Sequence, residues 1–161
     1  MATRACGRHQ HGFTLLELVT AVLIVGILMT IALPTFLGAR RPASDRAAMT
    51  LARNAMVAAR SALADTDTYA GFGPATLAAS ENTITFVDGT TPAAASRTEV
   101  SVAVGTTGAD SWVILASGST SGRCFALYDG GEGQPGHLRT DTPTCRAADF
   151  GPADPWEDAW P

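Results

Sequence analysis

The fold of this 161-residue chain turns on residues 12–37, which read GFTLLELVTAVLIVGILMTIALPTFL. Within them, residues 13–33 carry a single charge, Glu17. A helix needs about 20 largely apolar residues to cross a bilayer, so this run is long enough for one span. A carboxylate inside a span costs about 2.5–3.5 kcal/mol on insertion scales, which means that Glu17 needs a partner, an interfacial position or a function. Gly26 and Pro34 interrupt an otherwise uniformly apolar helix. Proline removes one i to i−4 hydrogen bond and crowds the preceding turn. An ordinary secretory signal has a shorter apolar core, about 7 to 15 residues, followed by a small-x-small cleavage site. This run is longer, contains an acid and has no such site directly after it. Cys6 does not mark a lipoprotein signal, because no apolar core precedes it.

Basic residues flank the run on both sides, with Arg4 and Arg8 before it and Arg40, Arg41 and Arg46 after it. Counting them leaves the orientation open. All 11 basic residues are Arg. Beyond residue 60 there are four Arg against 13 of the 15 acids. That acidic distal part argues against nucleic-acid binding, which needs a clustered basic surface. The basic stem suits anionic lipid headgroups better, at roughly 1 kcal/mol per Arg near the surface.

After Pro42, which is expected to bend or interrupt the helix, Ser44 and Asp45 offer N-cap chemistry for a second helical pattern. Ala48, Leu51, Ala52, Ala55, Ala58, Ala59, Ala62 and Leu63 fall in one arc at helical spacing. Arg46, Arg53 and Arg60 repeat on the opposite side as a solvated face, with pairing to the acidic heads of neighbouring copies as the sharper alternative. If both stretches join from residue 13 to about residue 64, the rise of about 1.5 Å per residue gives a rod of roughly 78 Å. Further on, Gly, Thr, Ser and Pro separate short β-prone runs at 83–87, 98–104, 111–116 and 123–128. Val100, Val102 and Val104 alternate with Ser101 and Ala103, as in a sheet with one covered face. The helix arc is the element to cover it. The fold class is therefore α+β, with a long N-terminal α-helix packed on a small antiparallel sheet of three to five strands.

Cys124 and Cys145 lie 21 positions apart in the distal part. If that part is outside the cell they can form a disulfide worth about 3 kcal/mol, tying a loop-rich tail to what reads as the last strand. Two cysteines without further ligands make a poor metal site. The sequence gives no catalytic constellation, cofactor motif or metal motif. His9 and His11 precede the apolar run, and His137 sits in a Gly-Pro stretch that reads as a solvated loop. Gly130-Gly131-Glu132-Gly133 lacks the Lys-Ser/Thr of a phosphate loop. The tail holds Asp149, Asp154, Glu157 and Asp158 with Trp156 and Trp160. It reads equally as a loose end or a docked surface, and its acids match no named calcium motif.

The residues Gly12-Phe13-Thr14-Leu15-Leu16-Glu17, after a short polar basic leader and before an apolar helix with Gly26 and Pro34, resemble the type III signal of type IV prepilins and pseudopilins. PTFLGAR, DRAA, LARNAMVAARSAL and DTDTY between Pro34 and Tyr69 further resemble pilin-like proteins of high-GC Gram-positive bacteria. The resemblance implies cleavage by a prepilin peptidase between Gly12 and Phe13 and N-methylation of Phe13 by the same enzyme. It implies assembly with copies of itself or other pilins on a pilus assembly platform. The α-amino group of Phe13 would be neutralised by Glu17 of a neighbouring copy. The Gly26 to Pro34 stretch would loosen on assembly, and Cys124 with Cys145 would bound a C-terminal disulfide loop. The implied organisation is a leader at 1–12, a transmembrane or filament-core helix at 13–37, its amphipathic continuation at 38–64 and a β-rich head at 65–161. The precursor would sit in the cytoplasmic membrane with its head outside, then enter a surface filament. A minor pilin or secretion pseudopilin is the alternative within this class. Outside it stand an uncut, single-span anchored binding protein and a domain released by an ordinary signal peptidase.

Overall fold

A computed structural model describes residues 13–160. The chain divides after Ala39 into two compact units. Helix α1, Leu15–Thr66, begins in the first and ends in the second. It is helical throughout its 52 residues, so the interruption expected at Pro42 does not occur, and Ser44 and Asp45 cap no new helix. Pro34 and Pro42 each withhold one backbone donor, from the carbonyls of Thr30 and Gly38. Intact turns on either side absorb that loss.

In the first unit no residue of the span-length window Leu15–Pro34 is buried. Leu15 is 81% exposed and Phe36 64%. Thr20 and Thr30 donate their hydroxyls back to the carbonyls of Leu16 and Gly26, at 3.0 and 2.9 Å. Their polarity is thus satisfied within the helix itself.

The second unit is built on a five-stranded sheet in the order β1-β2-β3-β4-β5. The strands are β1 Thr85–Asp88, β2 Glu99–Thr107, β3 Asp110–Gly118, β4 Cys124–Asp129 and β5 Gly136–Thr140. A short helix, α2 Pro74–Ser80, precedes them. From β2 to β5 the pairing is antiparallel, but β1 runs parallel to β2. The sheet is therefore mostly, not wholly, antiparallel. Asp88-Gly89 does turn, with Thr91 N–H donating to Asp88 O at 2.8 Å. The chain then returns along residues 89–98 instead of folding directly back. β5 was not expected, so Cys124 opens the fourth strand of five and not the last.

The predicted helix arc faces the sheet. Ala48, Leu51, Ala52, Ala55, Ala58, Ala59 and Ala62 are buried, Met56 joins them and Leu63 lies at the margin. Opposite stand Val100, Val102, Val113, Leu115 and Leu127. Alanines let the helix approach closely enough for Ser117 Oγ to donate to Ala48 O at 2.8 Å. The other sheet face is covered as well. Ile114, Ala116, Cys124 and Ala126 pack against Cys145, Ala147, Phe150 and Trp156 of the C-terminal segment. Ser101, expected to face water, is buried there and accepts from Ala147 N–H at 3.1 Å. Beyond Phe36, Val57 is the one large apolar side chain among the described residues that stands strongly exposed.

Candidate processing and assembly site

The helix start is set by Thr14. Its Oγ1 accepts from the backbone N–H of Glu17 at 3.2 Å, and its carbonyl accepts the first helical bond, from Leu18 N–H, at 3.2 Å. Thr14 is thus the N-cap and Glu17 stands at the third helical position, the spacing of a capping box. A carboxylate in the first turn is also favoured by the helix dipole, which is positive at this end. The sequence signal for this cap is the pair Thr14 and Glu17 three apart. Phe13, 78% exposed, precedes the cap. Gly12, with the rest of the leader and His9 and His11, lies outside the described residues. Gly26 has nothing within 4 Å of the place a Cβ would take, and so no packing demand for its lack of a side chain.

In the second unit, charged groups lock the helix to the ends of β3 and β4. Asp45, expected as a cap, is buried and accepts from Ser119 Oγ at 2.6 Å, from Ser121 Oγ, and from Arg123 Nη1 at 2.8 Å. Burial works against its charge, but the hydroxyls of Ser119 and Ser121 and the Arg123 guanidinium prevail and hold its pKa below the ordinary value. Arg60 is not part of a solvated stripe. Its Nε donates to Asp129 Oδ2 at 2.7 Å, its Nη2 to Asp129 Oδ1 at 3.2 Å and to Gly133 O at 2.7 Å. Tyr69 OH donates to the same Oδ2 at 2.7 Å. Burial, then the Asp129 carboxylate, pushes the phenol well above its usual range. This group ties α1, the segment after it and the 129–133 turn together.

His137 lies in β5, not in a solvated loop, with its ring edge-on to Trp160 at 4.9 Å. Burial, reinforced by the Arg53 charge, holds its pKa below the usual 6.5. The tail is docked: Trp156 stacks on Tyr128 at 5.4 Å and donates Nε1–H to Gly151 O at 2.9 Å. Trp160 meets Phe125 edge-on at 5.3 Å. His137 and Glu157 exchange backbone hydrogen bonds at 2.7 and 3.0 Å. Cys124 and Cys145 form a disulfide, with Cα atoms 5.1 Å apart. It pins the chain after β5 across the sheet face away from the helix. Among the described residues no three His, Cys, Asp or Glu side chains gather to hold a metal ion.

The apolar window Leu15–Pro34, preceded by the Thr14 cap and with Glu17 in its first turn, has no buried residue. It is long and apolar enough to cross a membrane. No curated protein and no solved structure matches the chain. Residues 7–33 match the model for the prokaryotic N-terminal methylation motif. That match suggests a structural subunit rather than an enzyme, with a membrane-anchored precursor. The match over residues 7–33 supports a type III signal like that of type IV prepilins and pseudopilins.

Proposed function

We propose that the chain is a type IV pilin-like structural subunit, cut after Gly12, N-methylated at Phe13 and polymerised through α1 into a surface filament. The observation that carries the reading is the unburied window Leu15–Pro34, which lies almost wholly within the methylation motif at residues 7–33. In the membrane, lipid covers that surface, and in a filament the same surface packs on neighbouring helices. Cleavage would expose the α-amino group of Phe13, a cation in apolar surroundings, beside the Glu17 carboxylates of other copies. Such a pair makes two costly charges tolerable without necessarily adding net stability, so its work is to set axial register. Gly26 and Pro34 would let the helix loosen there on assembly. The peptidase, other pilin copies and the assembly platform are the partners, with the head outside the cytoplasmic membrane. The disulfide supports that side, since such bonds persist in oxidising compartments.

Filament use in adhesion, motility, DNA uptake or secretion, as a major or minor subunit or a pseudopilin, lies within this reading. N-terminal sequencing of the exported chain tests it. Phe13 at the terminus supports the subunit, Met1 or Ala2 supports an uncut anchor, and a terminus beyond Pro34 supports a released domain.

A further inference from the structure

The second unit carries two oppositely charged surfaces at the two ends of its part of α1. The first is a groove of about 350 Å³ lined by Arg46, Ala47, Thr50, Leu51, Asn54 and Arg97. It holds two guanidiniums and no carboxylate. Both arginines are exposed, and neither has an ion-pair partner among the described residues.

The second is a cavity of about 590 Å³ where α1 ends, with the carboxylates of Asp67, Asp110 and Glu132 on its lining, all exposed. Its one lining cation, Arg60, is already held by Asp129. Tight turns bring these acids together: Asp67 has φ 57°, and Gly131 and Gly133, on either side of Glu132, have φ 88° and 80°.

Arg46 and Thr66 are 20 residues apart on one helix, about 30 Å at 1.5 Å per residue. Charges screen over about 8 Å at physiological salt, so the two surfaces cannot neutralise each other within one head. Between two heads they are complementary. We infer that the Arg46/Arg97 groove of one copy receives the Asp67/Asp110/Glu132 rim of a second copy. Because the two surfaces differ, the contact is head-to-tail, and such contacts propagate into open assemblies unless the rotation closes a ring. The inference rests on the filament reading and adds to it a directional, salt-sensitive contact between heads, separate from the apolar helix packing.

The test measures sheared-filament yield from cells producing the full chain. Arg46→Glu with Arg97→Glu is one variant, and Asp110→Arg with Glu132→Arg is the other. Asp67 is left in place because its left-handed backbone favours a short Asp side chain. Each variant alone opposes like charges at every contact and lowers the yield about tenfold or more. Produced together, each supplies the charge the other lacks, and mixed filaments return to within about twofold of wild type. An oxidised Cys124–Cys145 bridge and an unchanged melting temperature show that both heads fold.

Undiminished yield from either variant overturns the inference, as does failure of the mixture to recover. Loss of binding to phosphatidylglycerol vesicles by the arginine variant, without recovery in the mixture, assigns the groove to lipid and also overturns it. If the wild-type chain makes no filaments, the filament reading falls and this inference falls with it. Wild-type filaments beside unimpaired variants sink this inference alone.

Discussion

Glu17 and Thr14 do separate things although they are hydrogen-bonded neighbours. Thr14 accepts the Glu17 backbone N–H, so the helix start survives loss of the Glu17 side chain. Glu17→Ala should therefore insert in the membrane as wild type does and lose assembly, read as membrane fraction against filament yield. Glu17 was legible because one charge in a largely apolar run of 21 residues is anomalous on any scale. His137 was not, because the Trp160 and Glu157 that bury it lie about 20 residues further on. Its depressed pKa has a consequence with a definite sign. The unfolded chain takes up the proton first as pH falls, so the stabilisation is complete above about pH 6.5 and is lost as pH drops through the lower, folded value. The melting temperature should fall between about pH 7.5 and about pH 5.5, and His137→Gln should flatten that window. An equal slope in the variant would remove His137 as the cause.

At the scale of elements, the helix arc and the central strands followed from period alone. Apolar spacing at 3.6 and at 2 is local information. β5 escaped because its five residues, GHLRT, contain one aliphatic side chain, and its place is fixed by β4 and by the Glu157 bridge. The parallel β1 escaped because Asp88-Gly89 is a turn in either topology. The return along residues 89–98 is held by a remote bond, from Ala93 N–H to Cys145 O at 2.7 Å. The tail's docking depends on glycine. A Cβ on Gly136 would lie 2.6 Å from Trp156 Cβ, closer than packing permits. Gly136→Ala should displace Trp156 and speed proteolysis of the tail while leaving the disulfide formed, as seen by limited digestion of the oxidised chain. Asp129 joins three elements at once. Asp129→Ala strands the buried Tyr69 hydroxyl and unpairs Arg60. The loss should be about 3 kcal/mol, the low end of the buried-pair range because Arg60 is 36% exposed and can turn to water. Denaturant unfolding of variant and wild type measures it.

At the scale of the whole molecule, the two units solve different problems. The second closes its own core, with the helix on one sheet face and the disulfide-pinned tail on the other. The first leaves every residue of its apolar window exposed. That division was readable in composition, since apolar residues crowd into 13–33 and acids into the distal part. The two-sided cover of the sheet was not, because the tail has no periodic pattern to announce it. The proposed function requires that a chain so divided is processed between Gly12 and Phe13 and then polymerised. Mass spectrometry of sheared surface filaments tests this most directly. The account predicts an abundant species beginning at Phe13, carrying one methyl group on its α-amino nitrogen and an oxidised Cys124–Cys145 pair. Filament fractions without this chain, or a chain that still holds residues 1–12, would contradict it.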